Sequence, residues 1–266
     1  MVNVVVCIKA VPSDLNVAVS RRTGEPILEG TRWVINNWEK RAIALGIELV
    51  KNHGGACTVV TMDEESSKVA LREALALGAD KAVLLTDKSF EGADTLATAR
   101  VLSAALTKLR ADVVLTGSRT ADRRSAQVGP MVAQLLNIPA VTFAESTELK
   151  GKTLHVTKRI GTKLATYEAP LPCLVSVGAD RAAPAIATAW GIYDAYTTKD
   201  IIVWNRRDLD LHEDSVGREG SPTRVRRFEK VQERKGPIEC EFFEGDADDV
   251  ARQFVRRLKS RGGNIR

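Results

Sequence analysis

Residues 115–130, Leu115-Thr116-Gly117-Ser118-Arg119-Thr120-Ala121-Asp122-Arg123-Arg124-Ser125-Ala126-Gln127-Val128-Gly129-Pro130, hold the densest set of groups able to grip an anion in this 266-residue chain. An apolar run ends in Gly117, a polar loop follows, and a helix opens near Gln127 with Pro130 in its first turns, where a missing amide hydrogen does least harm. The unpaired amides of that turn, the Ser125 hydroxyl and the positive end of the helix dipole suit a phosphate. Arg123 or Arg124 can add charge from the side. An ordinary structural turn uses the same pattern, so these residues alone leave both roles open. No other chemistry competes with it. Cys7, Cys57, Cys173 and Cys240 form no Cys-x-x-Cys pair, and His53, His155 and His212 are scattered, so neither a zinc site nor a disulfide framework is expected. No side chain stands out as a general acid or base, and no catalytic residue is assigned.

Composition narrows the classes. With 44% hydrophobic, 27% charged and 5% aromatic residues and a net charge of +5, the chain is an ordinary globular protein rather than a disordered, collagen-like or coiled-coil one. No apolar run approaches the roughly 20 residues a membrane span needs, and residues 4–8 are too few for a signal-peptide core. A cytoplasmic protein without membrane insertion is expected. Two basic clusters, Arg224, Arg226 and Arg227, then Arg256, Arg257, Lys259 and Arg261, have only Phe228 and Phe254 nearby. They suit a solvated or partner-facing surface better than a nucleic-acid stripe, so no nucleic-acid partner is expected.

The elements that must position the loop follow from periodicity. Residues 2–8, 57–62, 82–86 and 112–116 are short and rich in Val, Leu and Thr, as strands buried on both faces should be. Between them lie helical segments at 38–53, 68–77 and 95–109. In the last, Leu102, Ala105, Leu106 and Leu109 make one apolar stripe, Asp94 is placed to cap the start, and Gly78 closes the helix before it. Strands and helices alternating in this way predict an α/β fold, a doubly wound, mostly parallel, Rossmann-like sheet. Ligands bind such sheets beyond the carboxyl ends of the strands, here after Ile8, Met62 and Thr116. After Pro139 the rhythm changes: 141–149, 154–159 and 163–168 predict added antiparallel hairpins, and 173–177 another buried strand. Residues 205–236 are charged and turn-rich and predict an extended arm. A final amphipathic helix carries Val250, Phe254 and Leu258, with Asp246, Asp248 and Asp249 at its start. The expected division is 1–204, an α/β domain, and 205–266, an arm and helix that dock on a partner.

Several segments together resemble the beta subunit of electron transfer flavoproteins, including its nitrogen-fixation-linked branch. They are Cys7-Ile8-Lys9-Ala10-Val11-Pro12, residues 70–80, Gly92-Ala93-Asp94-Thr95-Leu96-Ala97-Thr98-Ala99-Arg100, the 117–130 loop, and Glu168-Ala169-Pro170-Leu171-Pro172. The resemblance implies a heterodimer in which an alpha subunit binds the redox FAD and the beta subunit holds an adenine nucleotide. That nucleotide is a structural AMP in ordinary members and a second FAD, which takes hydride from NADH, in electron-bifurcating ones. A dehydrogenase or reductase is implied as redox partner. Carried over position by position, the pocket comprises Cys7, then Asn36, Asn37, Trp38 and Glu39 at a helix start, Met62, and the loop Gly117, Ser118, Arg119, Thr120, Ala121, Asp122, Arg123, Arg124, Ser125, Ala126, Gln127 and Val128. Backbone near Cys7 and Met62 would meet adenine and ribose, Asn36 and Asp122 would hold hydroxyls or brace the loop, and Ser125 to Val128 would clasp phosphate.

The chain departs from the family pattern in three places. Arg123 and Arg124 stand where the loop usually has a second acid, which either neutralises a diphosphate and favours FAD over AMP or is a surface change. Gly161-Thr162-Lys163 replaces an Asp-Gly-Gly segment. The usual Leu-Asn-Glu-Pro-Arg signature is Arg181-Ala182-Ala183-Pro184-Ala185, and Ala189 occupies the position of a leucine that anchors acyl-CoA dehydrogenases. Trp190, Tyr193 and Tyr196 just beyond are expected to be core, with an aromatic docking patch as the alternative. Trp33 and Trp38 are expected to pack structurally, with contact to adenine as the alternative. The competing function is a stand-alone adenine-nucleotide-binding or ATP-hydrolysing module of stress-protein type.

Overall fold

A computed structural model describes residues 1–13, 18–20, 22–23, 25–178, 186–226 and 240–261. They fall into two compact units, one reaching to Phe228 and one from Glu229 onward, each taken by itself below.

The first unit contains β1 (Val2–Cys7), β2 (Ala10–Pro12), β3 (Trp33–Ile35), α1 (Asn37–His53), β4 (Gly55–Met62), α2 (Lys68–Ala76), β5 (Lys81–Leu85), α3 (Thr95–Leu109), β6 (Val113–Gly117) and α4 (Val128–Leu136). These are followed by β7 (Ala140–Lys150), β8 (Thr153–Ile160), β9 (Lys163–Pro170), β10 (Cys173–Val177), α5 (Ala189–Thr197) and β11 (Ile201–Trp204). One nine-stranded sheet runs β11-β5-β4-β1-β6-β10-β7-β8-β9, while β2 and β3 form a small antiparallel ribbon. Pairing is parallel from β11 through to β7 and antiparallel for β8 and β9. The α/β, mostly parallel architecture is therefore the expected one. Each strand, helix and hairpin named from periodicity lies within two residues of its observed bounds.

Alternation along β1 explains the two layers. Val4 and Val6 join Leu71 and Leu75 of α2 in the core on one face of the sheet, whereas Val5 and Cys7 join Leu102 and Leu106 of α3 on the other. Asp94 caps α3 as its type suggested, its carboxylate accepting from the Leu96 and Ala97 amides at 3.0 and 2.9 Å.

Residues 205–226 correct the expected arm. They pack back onto the α/β unit, and the compact body ends at Phe228 rather than at Trp204. Leu209 and Val216 are buried with the α3 residues, and the Arg100 guanidinium donates to the carbonyls of Ser215 and Gly220 at 3.2 and 3.0 Å. Gly217, at φ +55°, leaves no room for a side chain: a β-carbon there would stand 1.9 Å from the Ser89 carbonyl oxygen. Two isolated apolar residues and backbone-to-arginine bonds carry no periodic signal, which is why a charged composition concealed a docked strap. Residues 227–236 of the expected arm, with Arg227 and Phe228, lie outside the described residues, as do 181–185.

In the second unit α6 (Ala247–Ser260) is capped by Asp246, which accepts from the Asp248 and Asp249 amides. Phe254 meets Phe243 edge-on at 6.0 Å, and Arg257 pairs with Glu241 at 2.6 Å. No helix of the described residues is long and apolar enough to cross a membrane.

Candidate functional site

The carboxyl ends of β1, β4, β6 and β10 open on one cleft, closed on its far side by α3 and the start of α4. It encloses ≈ 870 Å³ out to its open mouth. Register brings Cys7, Thr116 and Ser176 side by side across three strands. Ile8, Met62 and Leu102 form an apolar wall, while Thr116, Ser118, Thr120, Ser125 and Gln127 make a polar end.

Two features of that end call for a ligand. The Thr116 and Ser118 hydroxyls are buried yet have no hydrogen-bond partner among the described residues, an arrangement that costs about 1–3 kcal/mol per group unless something else satisfies it. Arg124 and Ala126 also hold left-handed backbone, φ +52° and +55°, which no glycine relieves. The loop leads into α4, and Gln127 provides no side-chain cap for the first-turn amides. Such a turn, with alternating backbone hand before it, is an anion-binding concavity.

Asn36 holds the loop in place. Fully buried, it donates from Nδ2 to Oε2 of the Glu39 carboxyl and to the Arg119 carbonyl at 3.0 Å, and its Oδ1 accepts from the Ala121 amide at 3.1 Å. Lys9 and Asp122 form an ion pair that ties the loop to the end of β1. Burial pushes the Asp122 carboxyl up, but hydrogen bonds from Lys9 and Thr120 and the Lys9 charge bring it below the usual carboxylate value.

Glu39 lines the cleft from beneath Gly117. Burial raises its carboxyl from 4.5 to about 8, against the opposing bond from Asn36, so the proton stays on at neutral pH. Burial, and then Glu39, push the Cys7 thiol up to about 12. Glu39 and Cys7 therefore add no negative charge to a cleft that Lys9 and Arg119 also line. A folded acid that keeps its proton above its unfolded value costs stability as pH rises from 4.5 to about 8, with no further change beyond. Urea unfolding across that window should show the loss, with a slope of at most one proton, and Glu39→Gln should remove it.

Of the residues expected here, Cys7, Glu39, Met62, Gly117, Ser118, Arg119, Thr120, Ser125, Ala126, Gln127 and Val128 line the cleft. Asn36, Ala121 and Asp122 stand behind it as braces. Asn37 is exposed and away from the lining, and Trp38 is half-buried with the Arg119 guanidinium 5.7 Å above its ring. Trp33 is 43% exposed, which corrects its expected packing. Arg123 and Arg124 do not line the cleft. Ile8, Thr116, Gly129 and Pro130, at the strand ends and in the 115–130 stretch, line it too, and Lys9, Thr98, Leu102 and Ser176 are lining residues that the sequence did not single out. The register of Ser176 beside Thr116 is the signal that would have found one of them, and it needs the strand pairing first.

Residues 27–206 match the model of the electron transfer flavoprotein domain. The chain is 37% identical over 260 residues to the electron transfer flavoprotein subunit beta of Thermoanaerobacterium thermosaccharolyticum, covering 97% of this chain and 98% of that one. The chain belongs to the electron transfer flavoprotein family, as a beta subunit. Other relatives of this beta subunit are subunit CarD of the caffeyl-CoA reductase-Etf complex of Acetobacterium woodii, 34% identical over 97% of this chain and 98% of that one, and protein FixA of Sinorhizobium fredii, 32% identical over 96% and 93%.

Within this beta subunit, α5 overturns one expectation. Trp190, Tyr193 and Tyr196 are not core: they are 75%, 57% and 61% exposed, with Trp190 and Tyr193 stacked at 5.4 Å. The reason is the helix's other side. Ala195 is its buried residue, and Gly191 packs so close to α2 that a β-carbon would stand 2.5 Å from the Ala76 carbonyl oxygen. A helix that seats its small residues inward turns its large ones out.

Proposed function

We propose that this chain is the adenine-nucleotide-holding half of a heterodimeric electron transfer flavoprotein, its cleft taking the adenylate part of AMP or of a second FAD. The unsatisfied hydroxyls of Thr116 and Ser118 at the polar end, beside the uncapped start of α4, carry this reading. The apolar wall of Ile8, Met62 and Leu102 suits a purine, and Ser125, Gln127 and the first-turn amides suit its phosphate. The residues present therefore fit an adenylate. A flavin, when bound, supplies the hydride and electron chemistry. This chain's residues bind and orient the nucleotide and keep carboxylate and thiolate charge out of the cleft. The alpha subunit and a dehydrogenase or reductase complete the electron path. Because relatives that are named as subunits match the chain from end to end, the stand-alone ATP-hydrolysing reading has no observation in its favour.

Titrating the purified chain with AMP should raise its melting temperature by mass action, with FAD as the parallel titration. The double variant Thr116→Val with Ser118→Ala should weaken whichever ligand protects at least tenfold. No shift with either ligand would contradict the reading.

The exposed aromatic face of α5 is the docking surface proposed for the redox partner, replacing the leucine that Ala189 lacks. Buried aromatic anchors are worth about 2 kcal/mol or more at an interface. Trp190→Ala with Tyr193→Ala should therefore slow electron transfer to the native dehydrogenase or reductase by an order of magnitude at limiting partner, with nucleotide content unchanged. Tight binding of the unaltered protein to a standard medium-chain acyl-CoA dehydrogenase would contradict the partner assignment.

A further inference from the structure

A second concavity, of ≈ 1630 Å³ out to open solvent, has walls from four separate stretches of chain. Arg123 comes from the loop before α4, Arg218, Arg224 and Arg226 from the docked strap, Asp94 from the start of α3, and Glu25 from the segment before β3. Four guanidinium groups thus face two carboxylates. Asp94 is already committed, accepting from the Leu96 and Ala97 amides and from both the amide and the hydroxyl of Thr223. Among the described residues none of the four arginines has a carboxylate within ion-pair distance, although ion pairs occur elsewhere on this unit. Guanidinium forks held by separate segments around one hollow match the several acceptor oxygens of a phosphoryl group.

The placement of Arg123 links the hollow to the cleft. Thr120 and Ser125, on either side of it in the sequence, line the cleft, whereas Arg123 lines the hollow and also an adjoining concavity with Asp63, Glu64, Glu65, Asp87 and Glu91, which leaves Arg218, Arg224 and Arg226 as the hollow's own cations. One loop contributes to both. We propose that this arginine-lined hollow is a second anion site, which receives a phosphoryl group. The group is either one carried by the nucleotide in the cleft, beyond its first phosphate, or one on a separate phosphorylated ligand. Only the first source rests on the cleft being a nucleotide site.

The test uses the full chain and the variant Arg218→Gln, Arg224→Gln, Arg226→Gln, none of which lines the cleft, with melting temperature checking that the strap stays docked. If the strap loosens, Arg224→Lys with Arg226→Lys, which keeps charge but removes the fork, replaces it. Pyrophosphate titrated calorimetrically at physiological salt is the probe, and the rate of nucleotide release from the protein as purified is the second readout. Pyrophosphate binding that falls at least tenfold in the variant, with release unchanged, identifies a separate ligand. A nucleotide released at least tenfold faster by the variant, with no pyrophosphate uptake by the unaltered chain, identifies the resident one. Pyrophosphate uptake no different from that of sulfate at equal ionic strength, together with equal release, overturns the proposal. So does a variant altered only in its affinity for a protein partner. A chain that neither retains nor takes up AMP or FAD refutes the cleft reading instead, and the pyrophosphate titration still decides the hollow.

Discussion

Replacing Asn36 by alanine is expected to cost about 3 kcal/mol of stability or more and to strip the cleft of its ligand. Asn36 is fully buried, and its amide joins three partners that have no other tie in common: the Glu39 carboxyl, the Arg119 carbonyl and the Ala121 amide. Truncation leaves each of them buried or half-buried without that bond, at about 1–3 kcal/mol for each unsatisfied group. The loop from Ser118 to Ala121 loses its attachment to the start of α1, and the Thr116 and Ser118 hydroxyls lose their fixed aim. Asn36→Asp separates geometry from charge. It retains the acceptor for Ala121 but sets a second acid against Glu39, so it should bind nucleotide weakly at neutral pH and recover partly as the pH falls. Chemical denaturation and ligand titration of the two variants together check this expectation. Alanine behaving like the native chain in both would refute the bracing role.

Gly117→Ala is expected to have the next largest effect. A β-carbon there would lie 2.7 Å from the carboxyl carbon of Glu39 and 2.7 Å from its Oε1. Glu39 cannot swing aside freely, since it is buried and held by Asn36. Overpacking of this kind costs about 1–3 kcal/mol, and the shift it forces falls on a residue that lines the cleft. Gly117→Ala combined with Glu39→Ala should regain most of the loss that Gly117→Ala causes alone, because the smaller side chain vacates the contested space. Equal losses in the presence and absence of the Glu39 side chain would mean that the clash is not the cause.

What the sequence disclosed depended on whether the signal was local. α3 was bounded to the residue because its apolar stripe and its Asp94 cap lie within a few turns of each other. The loop at 117–128 was legible for the same reason: strand end, turn residues and helix start are contiguous. The docked strap was not, because Leu209 and Val216 owe their burial to α3 residues some hundred positions earlier. Nor was the outward face of α5, since Trp190 and Tyr193 have the composition of a core and only the close approach of Gly191 to α2 turns them to solvent. Lys9 illustrates the same limit within the site. It sits in a segment that carried the family resemblance, but its role depends on Asp122, which is far away in sequence and adjacent in the fold.

Counting what the assembled protein holds is the most direct trial of the cleft. The chain is coproduced with its alpha subunit, purified, denatured, and its released AMP and FAD quantified per heterodimer. One adenine nucleotide beyond the alpha subunit's own flavin, lost on Asn36→Ala, is the predicted result. A heterodimer that releases that single flavin and nothing else would contradict it.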